Sequence, residues 1–324
     1  MDRDKARYTM NELGSKSQPF FFLINYNMEN CEVLPSGNVP NEKILFNLDN
    51  IHYNYPIAND RVKSLRLEKE PVSIKEYEKA FNFVQKHLHR GNSYLVNLTF
   101  PTPIKMEESL ESIFHSVKAK YKILYQNKFV VFSPETFVQI KNGKIFTFPM
   151  KGTIDASLPD AEKKLLSNQK ELAEHATIVD LLRNDLSRIS SNVKVEKFRY
   201  VDKIKSSEKS LLQVSSKISG DLPANYAKNL GKIIFDLLPA GSISGAPKSK
   251  TLQIIKEAET YDRGFYTGIA GYFDGKNLDS CVLIRFIENH QGQYIYKSGG
   301  GITTQSVLND EYQELIDKIY VPFG

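Results

Sequence analysis

Residues 239–248 read Pro-Ala-Gly-Ser-Ile-Ser-Gly-Ala-Pro-Lys, and the glycines and prolines of this segment interrupt any regular element. Residues 248–259 then carry apolar side chains at helical spacing. A loop that leads into a helix presents backbone N–H groups at the helix N-terminus, where the dipole favours an anion by roughly 0.3–1 kcal/mol. A tight connection without a ligand is the alternative. A nucleotide site fits poorly, because Ala-Pro separates Gly245 from Lys248 and breaks the Walker spacing.

Hydrophobic periodicity on either side of this segment predicts a mixture of helices and strands. The predicted helices cover residues 73–89, 110–121, 160–189 and 309–319. The predicted strands cover residues 20–24, 94–100, 129–132, 136–140, 144–148, 268–273, 282–288 and 294–297. Residues 1–70 consist of short β-rich pieces broken by polar turns, for example at 59–60, and we expect them to form an N-terminal lobe of the same fold.

Composition excludes several classes of protein. The chain has 324 residues, of which 41% are hydrophobic and 25% charged, as expected of a globular protein with a sizeable core. The surplus of +5 charges is spread along the chain, so we expect no nucleic-acid partner. No apolar run approaches the roughly 18–20 residues that cross a bilayer, and the N-terminus lacks a signal-peptide pattern. The two cysteines form neither a metal motif nor a disulfide framework, which fits a reducing cytoplasm.

Two predicted helices carry the same acidic spacing. Glu171 and Glu174 are three residues apart, as are Glu311 and Glu314, so each pair lies on one helix face. Four carboxylates that face one another would suit Mg²⁺, which prefers hard oxygen ligands. A solvated helix face is the alternative for each pair, with Glu314 bound to Lys318 at i,i+4 spacing.

Two further features of the sequence could bind an anion. Arg285 lies within the apolar run 281–287, on one strand face with Leu283 and Ile287, and a buried guanidinium needs a partner. That partner is either an internal carboxylate or an anionic substrate. The run Gly299–Gly301 lets a ligand approach the backbone at the end of a strand, although a β-bulge or a sharp corner would use the same residues.

Six short motifs stand in order along the chain: Ser133-Pro-Glu135, Pro149-Met-Lys-Gly-Thr153, Glu174-His-Ala-Thr-Ile-Val-Asp-Leu-Leu-Arg-Asn-Asp185, the segment 239–248, Gly299–Gly301 and Asp310-Glu-Tyr-Gln-Glu314. In this order they resemble the chorismate-utilising enzymes, over roughly residues 71–324. The resemblance implies that 71–324 is a chorismate-binding catalytic domain. It also implies an α+β fold, a large two-layer sandwich of mostly antiparallel sheets with helices outside and the site between them.

The resemblance implies roles for individual residues. The metal ligands for Mg²⁺ would be Glu174 and Glu314, with Glu171 and Glu311 acting through water. The groups that bind chorismate would be Tyr266, Arg285, Ser244, Lys318 and the backbone of Gly299, Gly300 and Gly301. Glu135 would be the general acid that protonates the departing C4 hydroxyl.

Two positions distinguish members of the family. Lys151 resembles the lysine with which aminodeoxychorismate synthases attack C2 of chorismate, whereas anthranilate synthases resemble Pro-Ile-Ala-Gly-Thr there. An ordinary lysine is only about 0.04% neutral at pH 7, so burial or a neighbouring positive charge would have to depress its pKa. Leu95 stands where isochorismate and salicylate synthases have a lysine that activates water, and leucine cannot accept a proton. The resemblance therefore implies amination of chorismate at C4.

Two alternatives remain open: an anthranilate synthase component I, or a catalytically silent subunit that retains the fold. The sequence offers no Cys nucleophile elbow with a His/Glu dyad, so ammonia must come from solution or from a partner. The resemblance implies a separate glutamine amidotransferase subunit.

Overall fold

The computed structural model describes residues 1–55, 65–205 and 210–323, and the turn predicted at 59–60 lies outside these ranges. The helices are α1 (Arg3–Ser15), α2 (Ile74–His89), α3 (Leu110–Ser116), α4 (Ala161–Ser167), α5 (Gln169–Ser187), α6 (Leu230–Leu237), α7 (Gly241–Ser244), α8 (Lys248–Ala258) and α9 (Leu308–Asp317). Short 3₁₀ turns cover Ser36–Asn38 and Tyr226–Asn229.

The strands are β1 (Phe20–Ile24), β2 (Cys31–Pro35), β3 (Ile44–Leu48), β4 (His52–Tyr53), β5 (Glu68–Lys69), β6 (Leu95–Lys105), β7 (Tyr121–Tyr125), β8 (Phe129–Ser133), β9 (Thr136–Lys141), β10 (Lys144–Thr147), β11 (Met150–Asp155), β12 (Ser191–Lys205), β13 (Ser210–Asp221), β14 (Gly245–Ala246), β15 (Ile269–Phe273), β16 (Leu278–Val282), β17 (Phe286–His290) and β18 (Gln293–Ile302).

Within the described ranges these strands form two antiparallel sheets. The first has the order β11-β13-β10-β9-β16-β15-β1-β2, with β12 paired to β13. The second has the order β14-β6-β18-β17-β8-β7-β3-β4, with β5 paired to β6. Strands from the first 70 residues enter both sheets, and β1 pairs with β15 and β2 inside the first sheet.

The two sheets face each other across an apolar core. Strand β1 shows the arrangement, because all five of its residues are buried and they alternate between two clusters. Phe21 points between the sheets and stacks on Phe46 of the second sheet at 4.6 Å between ring centroids. Phe20 and Phe22 point outward, into a cluster shared with α1 and α6. Because α2, α8 and α9 cover the outer face of the second sheet at β6 and β18, the predicted α+β sandwich with helices outside is confirmed.

Several predicted elements are correct. The helix predicted at 73–89 is α2, which begins after the N-cap Ser73, whose side chain accepts a hydrogen bond from the N–H of Glu76. The strand predicted at 20–24 and the helix predicted from 248 also form, as β1 and α8.

Three predictions about helices are wrong, one in the N-terminal lobe and two at helix boundaries. Residues 3–15, part of the lobe predicted to be β-rich, form a helix, because Ala6, Met10 and Leu13 lie on one face that packs near α6. The helix predicted at 110–121 ends at Ser116, since Val117 is extended and bridges Phe323. The helix predicted at 160–189 is divided into α4 and α5 by Asn168, whose side chain caps α5.

Two predictions about strands are also wrong, one for residues 282–288 and one for Gly299–Gly301. The strand predicted at 282–288 is interrupted, because β16 belongs to the first sheet and β17 to the second. Arg285 lies in the crossover with φ 55°, and it therefore does not share a strand face with Leu283 and Ile287. Gly299–Gly301 does not end its strand. It continues β18 opposite residues 97–99 of β6, and a Cβ on Gly299 would lie 2.4 Å from the carbonyl oxygen of Leu98.

Candidate active site

A β-bulge in β11 determines where Lys151 lies. Met150 pairs with Ser215 and Thr153 with Gln213, so Lys151 and Gly152 together oppose one residue of β13. Gly152 has φ +80°, a backbone conformation that residues other than glycine rarely adopt. A Cβ at this position would also lie 3.1 Å from Oε2 of Glu171. The glycine after the lysine is therefore required both by the bulge and by the close approach of α5.

The bulge directs the Lys151 side chain toward α5. Its Nζ lies 2.8 Å from Oε2 of Glu174, and only 24% of the lysine side chain and 7% of the glutamate side chain is exposed. Burial by itself lowers the pKa of Lys151, but the charge and hydrogen bond of Glu174, with the charges of Glu314 and Glu171, raise it above the usual value. The protein groups described here therefore hold Lys151 as an ammonium ion, and they do not supply the depressed pKa that a neutral nucleophile requires.

The acidic pair on α9 converges above Gly300 of β18. A Cβ on Gly300 would lie 3.4 Å from Oε2 of Glu311 and 3.7 Å from Oε1 of Glu314. Glu311 is buried and accepts a hydrogen bond from the hydroxyl of Ser306 at 2.7 Å. The negative charges of Glu174, Glu314 and Glu171 all raise the pKa of Lys151, so carboxylates of both α5 and α9 act on the same lysine.

These carboxylates fit a hard divalent cation by their donor chemistry. The space beside Glu311 and Glu314 is open because Gly300 has no Cβ. Within the described ranges, however, no three His, Cys, Asp or Glu side chains are grouped as they would be around a metal ion. Glu174 and Glu314 are paired with the ammonium groups of Lys151 and Lys318. A bound cation would therefore compete with two lysines for the same oxygens.

Lys318 connects α9 to the glycine strand. Its Nζ lies 2.6 Å from Oε1 of Glu314 and donates a hydrogen bond to the carbonyl oxygen of Gly299 at 2.8 Å. The i,i+4 pair that was the structural alternative for Glu314 is thus present, within the candidate site. Burial lowers the pKa of Lys318, and the positive charges of Arg285 and Lys151 lower it further against the opposing effect of Glu314.

Arg285 has no carboxylate within ion-pair distance in the part of the chain that the structure describes. Its guanidinium lies 5.2 Å from the centre of the Tyr320 ring, and its buried Nε has no hydrogen-bond partner among the described residues. Of the two partners considered for this arginine, an internal carboxylate is therefore not observed. Tyr266 is buried beside Phe286, and burial raises the pKa of its hydroxyl above the usual value.

Glu135 follows β8, and its half-buried side chain points toward the segment 239–248. Its Oε1 accepts a hydrogen bond from the hydroxyl of Ser242. Burial raises the pKa of the Glu135 carboxyl, whereas Ser242 and the charges of Arg285 and Lys318 act in the opposite direction. A carboxylic acid with a raised pKa is suited to donate a proton.

The segment 239–248 contains the short helix α7 and the two-residue strand β14 within the predicted loop. Ser244 is fully buried and donates its hydroxyl to the carbonyl oxygen of Ala240, so that group is engaged within α7. Lys248 at the start of α8 forms an ion pair with Asp185 of α5 at 2.7 Å. Gly301 lies against Leu95, whose Cδ1 would be 3.4 Å from a Cβ at that glycine.

The residues that support the site from behind, among them a buried ion pair, were not identified from the sequence. Arg263 and Glu259 form an ion pair at 2.7 Å, with 2% and 3% of their side chains exposed. Arg263 also donates to the carbonyl oxygens of Ile243 and Asn97. Ile243 precedes the predicted binding residue Ser244 in the chain, and Asn97 pairs with the predicted binding residue Gly301 across the sheet. The i,i+4 spacing of this pair was a detectable signal, but its burial was not.

A family model described as chorismate binding enzyme matches residues 21–323. The chain belongs to the chorismate-binding enzymes. An uncharacterized PabA-like protein of Pasteurella multocida (strain Pm70) is 50% identical over 317 residues, which are 97% of each chain. Aminodeoxychorismate synthase component 1 of Salmonella typhimurium is 34% identical over 75% of this chain and 56% of its own length.

Solved structures agree with this family assignment. The crystal structure of anthranilate synthase component I from Streptococcus pneumoniae TIGR4 is similar with a TM-score of 0.65 and 27% identity, over 81% of this chain and 60% of that chain. This chorismate-binding enzyme thus spans little more than half of the length of the two named synthases. None of the helices in its described parts is both long and apolar enough to cross a bilayer.

Proposed function

We propose that this chorismate-binding enzyme converts chorismate and ammonia into 4-amino-4-deoxychorismate. The observation that carries the proposal is the position of Lys151 beside Glu174, among the carboxylates of α5 and α9. An amine at this point is a nucleophile that the alanine of an anthranilate synthase-like motif could not supply. Since the relatives include synthases of both kinds, similarity alone does not choose between the two reactions.

In the proposed reaction, neutral Lys151 attacks C2 of chorismate and the ring double bonds shift toward C4. The C–O bond at C4 breaks, and Glu135 gives its proton to the departing oxygen, which leaves as water. Ammonia then attacks C4, the double bonds shift back, and the bond between C2 and Lys151 breaks. The Glu135 carboxylate takes the surplus proton from the new amine, so the acid is restored without an external proton source.

The remaining site residues bind and orient the substrate. Arg285 and Tyr266 would hold the enolpyruvyl carboxylate, with Lys318 and the backbone of the Gly299–Gly301 strand beside it. The residues that would hold Mg²⁺ are Glu174 and Glu314, with Glu171 and Glu311 through water, and the bound cation would attract the ring carboxylate. Its charge would also offset the carboxylates that raise the pKa of Lys151.

Ammonia would come from a separate glutamine amidotransferase subunit, and a cytoplasmic enzyme of folate synthesis is the setting that we propose. An anthranilate synthase component I is the second candidate, and the similarity to the Streptococcus structure favours it. The silent-subunit alternative would lose the reacting groups, whereas Lys151, Glu135, Arg285 and all four glutamates are present.

The test is to incubate the purified chain with chorismate, Mg²⁺ and ¹⁵N-labelled ammonium and to identify the product by chromatography and mass. We expect 4-amino-4-deoxychorismate with one ¹⁵N atom, and its loss in Lys151→Ala but not in Lys141→Ala, an exposed lysine at the end of β9. Anthranilate would establish the second candidate. Isochorismate would overturn the interpretation of Leu95, and no turnover would favour a silent subunit.

A further inference from the structure

The carboxyl group of Glu135 is held by a single hydroxyl. Ser242 donates to Oε1, and this is the one hydrogen bond to the carboxyl in the part of the chain that the structure describes. The backbone of Glu135 is fixed independently, because its N–H donates to Oγ of Ser133 and its carbonyl oxygen accepts from the N–H of Val282, both at 3.1 Å. The Ser242 contact therefore controls the side chain of Glu135 and not its backbone.

The segment that carries Ser242 is braced on both sides. Gly241 packs so closely on α5 that a Cβ there would lie 3.0 Å from Oδ2 of Asp185. The carbonyl oxygen of Ile243 accepts a hydrogen bond from the buried guanidinium of Arg263 at 3.0 Å. Different elements thus hold the residues immediately before and after Ser242. The Ser242 hydroxyl therefore has a defined position.

We propose that Ser242 is a positioning residue for Glu135, whose hydrogen bond fixes the orientation of the carboxyl group. When the carboxyl is ionised it can only accept, so the serine hydroxyl then donates to Oε1 and stabilises the carboxylate. The inference rests on the proposed function in one respect, namely that Glu135 is the general acid.

Several charged groups and a small cavity lie near the Glu135 carboxyl, and together with Ser242 they influence its pKa. The titratable and charged groups that face the carboxyl or lie across the adjoining cavity are Arg285, Lys318, Tyr266, Cys281 and Asp185. That cavity is about 20 Å³ and is bounded by Glu135, Ser242, Asp185 and apolar side chains such as Leu182. A space of this size holds one water molecule, so a small hydroxyl-free residue at 242 would admit a replacement donor.

The matched variants are therefore Ser242→Thr and Ser242→Val, which have the same shape and differ in the hydroxyl. The pKa of Glu135 is measured by ¹³C NMR on protein labelled at the glutamate side-chain carboxyl carbon, with Glu135→Gln identifying the resonance. Because the donated hydrogen bond stabilises the carboxylate, its loss in Ser242→Val should raise the pKa of Glu135 by about one pH unit. Ser242→Thr should retain the wild-type value. Ser242→Cys, a second variant without the hydroxyl, leaves no room for a water, and its thiol is a weak donor, so it should show the same direction if Ser242→Val does not fold.

A second measurement uses turnover. Ser242→Val should lower kcat about tenfold, move the alkaline limb of the pH profile to higher pH and leave the KM for chorismate unchanged, and Ser242→Thr should restore the rate. The NMR titration does not depend on turnover, so it separates the two proposals. Absence of product from the wild-type chain contradicts the proposed function alone. Equal pKa values of Glu135 in wild type, Ser242→Thr and the folded hydroxyl-free variant overturn the role of Ser242.

Discussion

Nζ of Lys151 lies 2.8 Å from Oε2 of Glu174, so the proposed nucleophile is bound by a proposed metal ligand. The two roles are therefore coupled. A cation bound by Glu174 would withdraw the carboxylate that stabilises the ammonium form of Lys151. The same relation holds on α9, where Glu314 is bound by Lys318. The ion pairs thus connect the proposed nucleophile Lys151 and the proposed binding group Lys318 to carboxylates of the proposed metal site.

Metal affinity tests this arrangement directly. Glu174→Gln removes a charged oxygen ligand, and we expect it to weaken Mg²⁺ binding by at least about tenfold in a calorimetric titration. The matched control is Glu162→Gln, which alters an exposed glutamate on the neighbouring helix α4 and should leave Mg²⁺ affinity unchanged. Equal affinities in the two variants would contradict the assignment of Glu174.

The bulge at Gly152 provides a test of local geometry. Gly152→Ala forces a side chain into φ +80° and places its Cβ 3.1 Å from Oε2 of Glu171, so we expect a stability loss of about 1–3 kcal/mol and a large loss of turnover. Gly143→Ala is the control, because Gly143 has φ +74° but nothing within 4 Å of a Cβ. It should lose about 1 kcal/mol in urea unfolding and keep wild-type turnover. Equal turnover in both variants would show that the bulge does not position Lys151.

The buried pair of Arg263 and Glu259 should be much more important for stability than an exposed pair. Arg263→Met leaves the Glu259 carboxylate buried without its cation, and we expect a loss of about 3–5 kcal/mol in urea unfolding. Arg183→Met breaks an exposed pair with Asp180 and should cost less than about 1 kcal/mol. A similar cost for both variants would mean that Arg263 does not brace the segment around Ile243.

The raised pKa of Glu135 predicts that the stability of a Glu135→Gln variant, relative to wild type, depends on pH. A carboxyl whose pKa is higher in the folded than in the unfolded state contributes stability below the unfolded value of 4.5, and this contribution is lost as pH rises through the folded value. Glu135→Gln cannot ionise. It should therefore become more stable relative to wild type as pH rises above 4.5, while it loses turnover at every pH. A stability difference that does not change with pH would contradict the raised pKa.

The sequence predicted much of the sheet and helix content because apolar periodicity and caps are local signals. Ser73 marks the start of α2, and the apolar run of β1 marks a strand buried on both faces. Arg285 could not be placed in the same way, because its position depends on the chain passing from one sheet to the other. The sequence contains no local sign of that crossover.

The candidate site was predictable in its residue types but not in its contacts. The motifs indicated Lys151 and Glu174 separately, whereas their ion pair requires the bulge at Gly152 and the packing of α5. Ser242 was missed because its partner Glu135 is 107 residues away along the chain. Contacts of this kind follow from tertiary packing, and no spacing within one motif encodes them.

The central claim is that Lys151 forms a covalent bond to C2 of chorismate, and one measurement tests it most directly. The purified chain is incubated with chorismate and Mg²⁺ without ammonia, and its intact mass and peptide map are recorded. We predict an adduct on Lys151 with the mass of chorismate less one water, which disappears when ammonium is added and 4-amino-4-deoxychorismate forms. Formation of that product with no adduct on Lys151 at any time, or in a Lys151→Ala variant at the wild-type rate, would contradict the claim.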